Sequence, residues 1–67
     1  MTVYVNSEKL VIPQEIRTIA DLLTYMKIPS EGTGVGLNLH LVPSREWNVK
    51  ELKEDDNIMI IKATYGG

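Results

Sequence analysis

Asn57-Ile58-Met59-Ile60-Ile61-Lys62-Ala63-Thr64 is the stretch that decides the architecture of this chain. From Ile58 to Ile61 it is continuously apolar, which suits a strand placed centrally in a sheet and covered on both faces. Glu54-Asp55-Asp56 precedes it and reads as an acidic turn, with Glu51, Glu54, Asp55 and Asp56 forming a solvated face. Tyr65-Gly66-Gly67 follows it. The upstream sequence must therefore supply strands to flank this one and a helix to cover it.

Those partners are legible in order. Thr2 to Asn6 reads as a strand, with Val3 and Val5 on one face and Tyr4 on the other. Asn6-Ser7-Glu8 supplies a turn and Lys9 to Ile12 a second strand, so the pair predicts a hairpin that Pro13 ends. Thr18 is an N-cap, and Asp21 three residues on gives an acidic variant of the capping box. Ile19, Leu22, Leu23 and Met26 then follow the spacing of one buried helical face, with Lys27 in the last turn and Pro29 enforcing the stop.

Ser30 to Gly36 reads as a surface loop. Its Gly32-Thr33-Gly34-Val35-Gly36 run is not a phosphate cradle, because strand-like sequence follows it where a helix N-terminus would be needed. Leu37 to Val42 reads as one strand, with Leu37, Leu39 and Leu41 on its apolar face and Asn38 and His40 on the polar one. Pro43 ends it, Ser44-Arg45-Glu46-Trp47 looks like a capped single turn, and Trp47 is placed to close the open edge of the core. Val49 and Leu52 fall in an irregular stretch.

The order β-β-α-β-(turn)-β predicts an α+β fold of the β-grasp, ubiquitin-like kind. This is a mixed four- to five-stranded sheet with one main helix packed across it and the last strand central. Residues 1–63 would form the domain and 64–67 a flexible diglycine tail.

Composition removes most other functions. The net charge of −2 and scattered Lys and Arg residues argue against a nucleic-acid partner, which requires a basic stripe. No apolar run approaches the ~20 residues of a membrane span, and no secretory signal is evident, so a cytoplasmic protein is expected. With no cysteine and one histidine there is no thiol nucleophile, disulfide or Cys/His metal site, and no bound cofactor is expected. No Gly-x-Ser-x-Gly elbow or Walker sequence occurs. His40, without a motif partner, reads as structural or as a contact for a partner protein. The chain is thus not expected to be an enzyme on its own.

Gly66 and Gly67 remain. Lacking side chains, they could thread a narrow groove and bring a carboxylate to a reactive centre. Taken alone, the pair is equally compatible with a frayed end.

Three elements carry a family resemblance. Val42-Pro43-Ser44-Arg45-Glu46-Trp47 looks like a Val-Pro-Arg-x-x-Trp element following the third strand. Glu54-Asp55-Asp56-Asn57-Ile58 is similar to an Asp-Gly-Asp-x-Ile turn, and Thr64-Tyr65-Gly66-Gly67 closes the match. In this order and spacing the chain resembles the ThiS sulfur-carrier family of thiamin biosynthesis, within the ThiS/MoaD ubiquitin-like group, over nearly its whole length. Asp55 stands where that family often has Gly, which predicts a left-handed Asp55. Tyr65 stands where it more often has a smaller residue.

The resemblance implies that a ThiF-type adenylyltransferase uses ATP to adenylate the Gly67 carboxylate. A sulfur donor enzyme then converts it to a thiocarboxylate, and a ThiG-type thiazole synthase receives the sulfur. Gly66, Tyr65 and Thr64 would guide the tail. The sheet face near His40, Met59 and Ile61 would form a docking surface, although those residues are equally good core candidates, since most apolar strand residues pack inward. A monomer is expected when the carrier is alone. A molybdopterin-type carrier, a ubiquitin-like protein modifier and a β-grasp interaction module with a passive tail are the competing readings.

Overall fold

The computed structural model describes residues 1–62. The expected end of the last strand at Thr64, the domain limit at residue 63 and the tail residues Thr64, Tyr65, Gly66 and Gly67 lie outside the described residues.

Two hairpins and a helix surround the final strand. β1 (Thr2–Val5) and β2 (Glu8–Val11) pair antiparallel, with Val5 opposite Glu8. The connection is therefore two residues, Asn6-Ser7, not the three expected, and Glu8 already belongs to the strand. Both turn residues have positive φ (50° and 72°), the type I′ geometry whose twist matches that of the flanking strands.

Helix α1 (Ile19–Tyr25) begins as its sequence indicates. Thr18 Oγ1 accepts from the Asp21 N–H at 3.1 Å, and Asp21 Oδ2 accepts from the N–H of Thr18 at 3.2 Å and of Arg17 at 3.0 Å. These backbone donors hold the Asp21 carboxyl below the usual carboxylate range. The far end departs from expectation. Met26 is the C-cap, and Lys27 lies beyond the last turn with φ 60°. Its N–H reaches Thr24 O at 3.1 Å while that of Ile28 reaches Leu23 O at 2.8 Å, which together make a Schellman motif with lysine where glycine is usual.

The middle of the chain is reorganised relative to its sequence reading. Thr33–Leu37 is strand β3, and His40–Val42 is β4. They are joined by a second type I′ turn at Asn38-Leu39 (φ 48° and 73°). The expected loop through Gly36 and single strand Leu37–Val42 are thus one hairpin. The turn escapes notice because its second residue is leucine, not glycine. It also splits the three leucines: Leu37 is buried, whereas Leu39 and Leu41 are exposed.

A 3-10 turn follows at Ser44–Glu46, with Pro43 at its N-cap and no side-chain capping bond, so Ser44 does not cap it. Trp47 is buried and donates its indole Nε1–H to Val42 O at 2.8 Å, closing the core edge as expected. The carbonyls of Trp47 and Lys50 take the N–H groups of Ala20 and Ile19 at 3.0 and 3.1 Å, which seats this segment on the start of α1.

β5 (Asn57–Lys62) completes a five-stranded sheet of order β2-β1-β5-β3-β4 and is its central strand. It runs parallel to β1 and antiparallel to β3, which makes the sheet mixed and the fold the α+β β-grasp expected. The core sits between α1 and one sheet face. Ile19, Leu22 and Leu23 pack there with Val3, Val5, Val35, Leu37, Ile58 and Ile60.

The acidic turn is not merely solvated. Asp55 has φ 68°, as expected of a residue in a glycine-like position. Asp56 is buried, its Oδ2 accepting from the Lys53 N–H at 2.7 Å and its Oδ1 from Asn38 Nδ2 at 3.0 Å. The Glu54 carboxylate accepts from the Thr2 N–H at 3.1 and 3.2 Å. Among the described residues no helix is long and apolar enough to cross a membrane.

Candidate functional site

β5 alternates between covered and open positions. Ile58 and Ile60 face the helix, whereas Met59 and Ile61 are 53% and 58% exposed. The expectation that this strand is covered on both faces is therefore wrong. One short helix can bury only one side of a five-stranded sheet, so the apolar run serves the core with alternate residues and leaves the others to solvent.

What flanks those open residues shapes the face. Gly36 lies opposite Met59 across the β3–β5 ladder, Gly34 opposite Ile61, and Leu41 opposite Gly36 on the other side. The two glycines contribute no side chain, so a trough runs between Met59 and Ile61 on β5 and Leu41 on β4. A Cβ at Gly36 would sit 3.7 Å from His40 O and 3.9 Å from Met59 Cβ, ordinary contact distances. Backbone crowding therefore does not demand glycine here; its effect is to keep the floor low.

The resulting depression has a volume of about 260 Å³ and is lined by Gly36, Leu39, His40, Leu41, Asn57, Met59 and Ile61. Leu39 and Leu41 are 94% and 80% exposed, so the patch is a contiguous apolar surface, with the Asn57 side chain and the His40 backbone at its margin. Surfaces of this kind mark interaction sites more often than scattered single hydrophobes do. A larger hollow of about 390 Å³ lies on the helix side, lined by Ala20, Leu23, Thr24, Ile28, Ser30, Ser44, Trp47 and Asn48. No titratable side chain lines it, and its two serine hydroxyls have no base among the lining residues, so it offers no acid–base or nucleophilic chemistry. The smaller, apolar depression is the better candidate because Ile61, beside the exit of β5 at Lys62, forms part of it.

Of the residues singled out from sequence, Met59 and Ile61 come together at this depression and neither belongs to the core. His40 is exposed and borders the depression, but its position opposite buried Leu37 puts its side chain on the other face of the sheet, so sequence reasoning placed it on the wrong side. Sequence reasoning missed Leu39, Leu41, Gly34 and Gly36. A signal was available: glycine at positions 34 and 36 alternates with buried Val35 and Leu37, the period of a strand with one bare face. Among the described residues no group of three His, Cys, Asp or Glu side chains could hold a metal ion.

Comparison with known proteins adds a family. The family model described as "ThiS family" matches residues 2–67. No curated protein sequence matches. A crystal structure of a thiamine biosynthesis protein (ThiS) from Geobacter metallireducens superimposes with a TM-score of 0.85. It is 20% identical over 100% of this chain and 100% of that one. An NMR solution structure of a thiamine biosynthesis protein from the same organism gives 0.81 at 20% identity, covering 100% of this chain and 88% of the other. At that identity the likeness is one of fold.

Proposed function

The chain belongs to the ThiS family, and from that premise we propose that it is a sulfur carrier of thiamine biosynthesis whose working group is the Gly67 carboxylate. One observation carries the reading: the family match extends from Thr2 through the diglycine, so body and tail are matched together. The protein is then a co-substrate, acted on by enzymes and not itself catalytic, and it works in the cytoplasm with the ATP its partner consumes.

The chemistry follows from the weakness of a carboxylate as an electrophile. In a ThiF-type enzyme a Gly67 oxygen attacks the α-phosphorus of ATP and pyrophosphate leaves. The product is an acyl adenylate. A sulfur donor enzyme supplies sulfide-level sulfur as the nucleophile that attacks the acyl carbon and expels AMP, and loss of the sulfur's proton leaves a thiocarboxylate. Its sulfur passes to a ThiG-type thiazole synthase. Gly66 keeps the tail thin, and Tyr65 and Thr64 guide it. The depression holding Met59 and Ile61, bordered by His40, is the docking surface, supported by its apolar character and its place beside the exit of β5. The absence of cysteine suits this role, since the activated acyl group meets no thiol in its own carrier.

The test is intact mass after incubation with a ThiF-type enzyme, ATP and a sulfur donor. A gain equal to the difference between one sulfur and one oxygen atom is expected, and it should vanish when Gly66-Gly67 is deleted. Formation of neither adenylate nor thiocarboxylate refutes the reading. Transfer of Gly67 to lysines of other proteins would assign a modifier instead.

A further inference from the structure

We propose that Leu39 is a specificity-determining anchor for the enzyme that adenylates Gly67, held out on the β3–β4 turn to enter an apolar pocket of that enzyme; this rests on the reading of Gly67 given above.

Leu39 occupies the second position of a type I′ turn with φ 73°. That region disfavours L-residues other than Asn and Asp, and glycine relieves it. The chain builds the same turn a second time, at Asn6-Ser7 with φ 50° and 72°, and there uses a small polar residue. Leucine is thus not required by the geometry of the turn. Nor is it required by the core, because it is 94% exposed. A large apolar side chain that strains the backbone and returns no packing within its own chain points outward. Strained residues of this sort concentrate at binding sites, and the inference runs from the observed outlier to the role.

The occupant follows from the reach of the tail. Five residues, 63–67, follow Lys62, and fully extended they span at most ~18 Å. An enzyme that seats Gly67 in its active site must bring its surface within that distance of the exit of β5, next to Ile61. From there the apolar surface continues along β5 through Met59 to Leu41 and Leu39, a distance of roughly 17 Å for the strand's rise. A standard interface of ~800 Å² per partner is roughly 30 Å across, wide enough to span both ends. Leu39 is the most exposed apolar residue on that path.

Pyrophosphate release by a purified ThiF-type enzyme with ATP, measured against carrier concentration, tests the assignment. The carriers compared are wild type, Leu39→Gly, Leu39→Ala and, as a control exposed apolar site elsewhere, Val49→Ser. Leu39→Gly should unfold at higher urea than wild type and yet raise KM about tenfold or more with kcat retained. Leu39→Ala should raise KM similarly without the gain in stability, and Val49→Ser should leave KM unaltered. A KM for Leu39→Gly within about twofold of wild type overturns the proposal. So does a change in self-association with KM unaltered, which would assign Leu39 to a second copy of this chain. Wild-type carrier that is not adenylated at all sinks the Gly67 reading itself, and this inference with it.

Discussion

Asn6→Ala is the most informative single perturbation of this fold. β1 stops at Val5, but its ladder with β5 does not. The N–H groups of Tyr4 and Asn6 donate to Asp56 O and Ile58 O, both at 2.8 Å, in parallel register. The next rung would involve Ile60, where the chain has already turned away. There the Asn6 side chain stands in for a peptide unit: Oδ1 accepts from the Ile60 N–H at 2.8 Å and Nδ2 donates to Ile60 O at 3.3 Å. Ile60 is buried, so truncation leaves its backbone groups without partners, at about 1–3 kcal/mol. Alanine at φ 50° adds about 1 kcal/mol of left-handed strain that asparagine largely avoids. The sum, about 2–4 kcal/mol, is a large share of the ~3–10 kcal/mol total stability expected for 67 residues. Equilibrium urea unfolding followed by fluorescence of Trp47, the sole tryptophan, reads it directly. Asn6→Gly separates the contributions, because it deletes the amide without adding the left-handed strain of alanine, and should still lose about 1–3 kcal/mol. An Asn6→Ala loss below about 0.5 kcal/mol, or full rescue by glycine, would refute the surrogate-rung account.

Four further outcomes are expected. Lys27→Gly relaxes the left-handed C′ position and should stabilise the protein by about 0.5–1 kcal/mol, seen as a higher melting temperature in calorimetry. Trp47→Phe removes the buried bond to Val42 O and should lose about 1–3 kcal/mol in chemical denaturation. The Asp21 carboxyl titrates lower in the folded chain than in the unfolded one, so its contribution is full above its unfolded pKa and is lost as pH falls through the folded value. Asp21→Asn should accordingly flatten the acid limb of the stability–pH curve while leaving its neutral-to-basic shape alone. Gly36→Val should fold, since its Cβ meets only ordinary contacts, but the side chain raises the floor of the depression and should raise the KM for adenylation. An unchanged KM would remove that face from the docking surface.

How much of this was legible depends on what each signal constrains. The capping box at Thr18 and Asp21 is a local device with both partners three residues apart, and the helix starts where it says. The centrality of β5 follows from its apolar run. Its exposure does not, because four consecutive apolar residues look the same whether one face or two are covered. The β3–β4 hairpin was hidden by a turn that keeps Asn38 but replaces the signal glycine with Leu39, while real glycines at 34 and 36 sit inside the strand and mimic a loop. Asp56 reads as surface charge: its bond from the Lys53 N–H is local, three residues back, but the Asn38 amide that helps bury it comes from 18 residues away, a gap no local pattern records. The depression was legible only in part for the same reason: Met59 and Ile61 belong to one strand, but Leu41 joins them through pairing.

The central position of β5 also has a mechanical meaning. Ladder hydrogen bonds run across a strand, perpendicular to its length in the antiparallel pairing with β3 and slanted in the parallel pairing with β1. Tension applied at Lys62 along the axis of β5 therefore loads the bonds to β1 and β3 in shear, many at once, whereas an edge strand pulled sideways would peel bond by bond. A body built this way resists being unravelled by a pull on the end of β5.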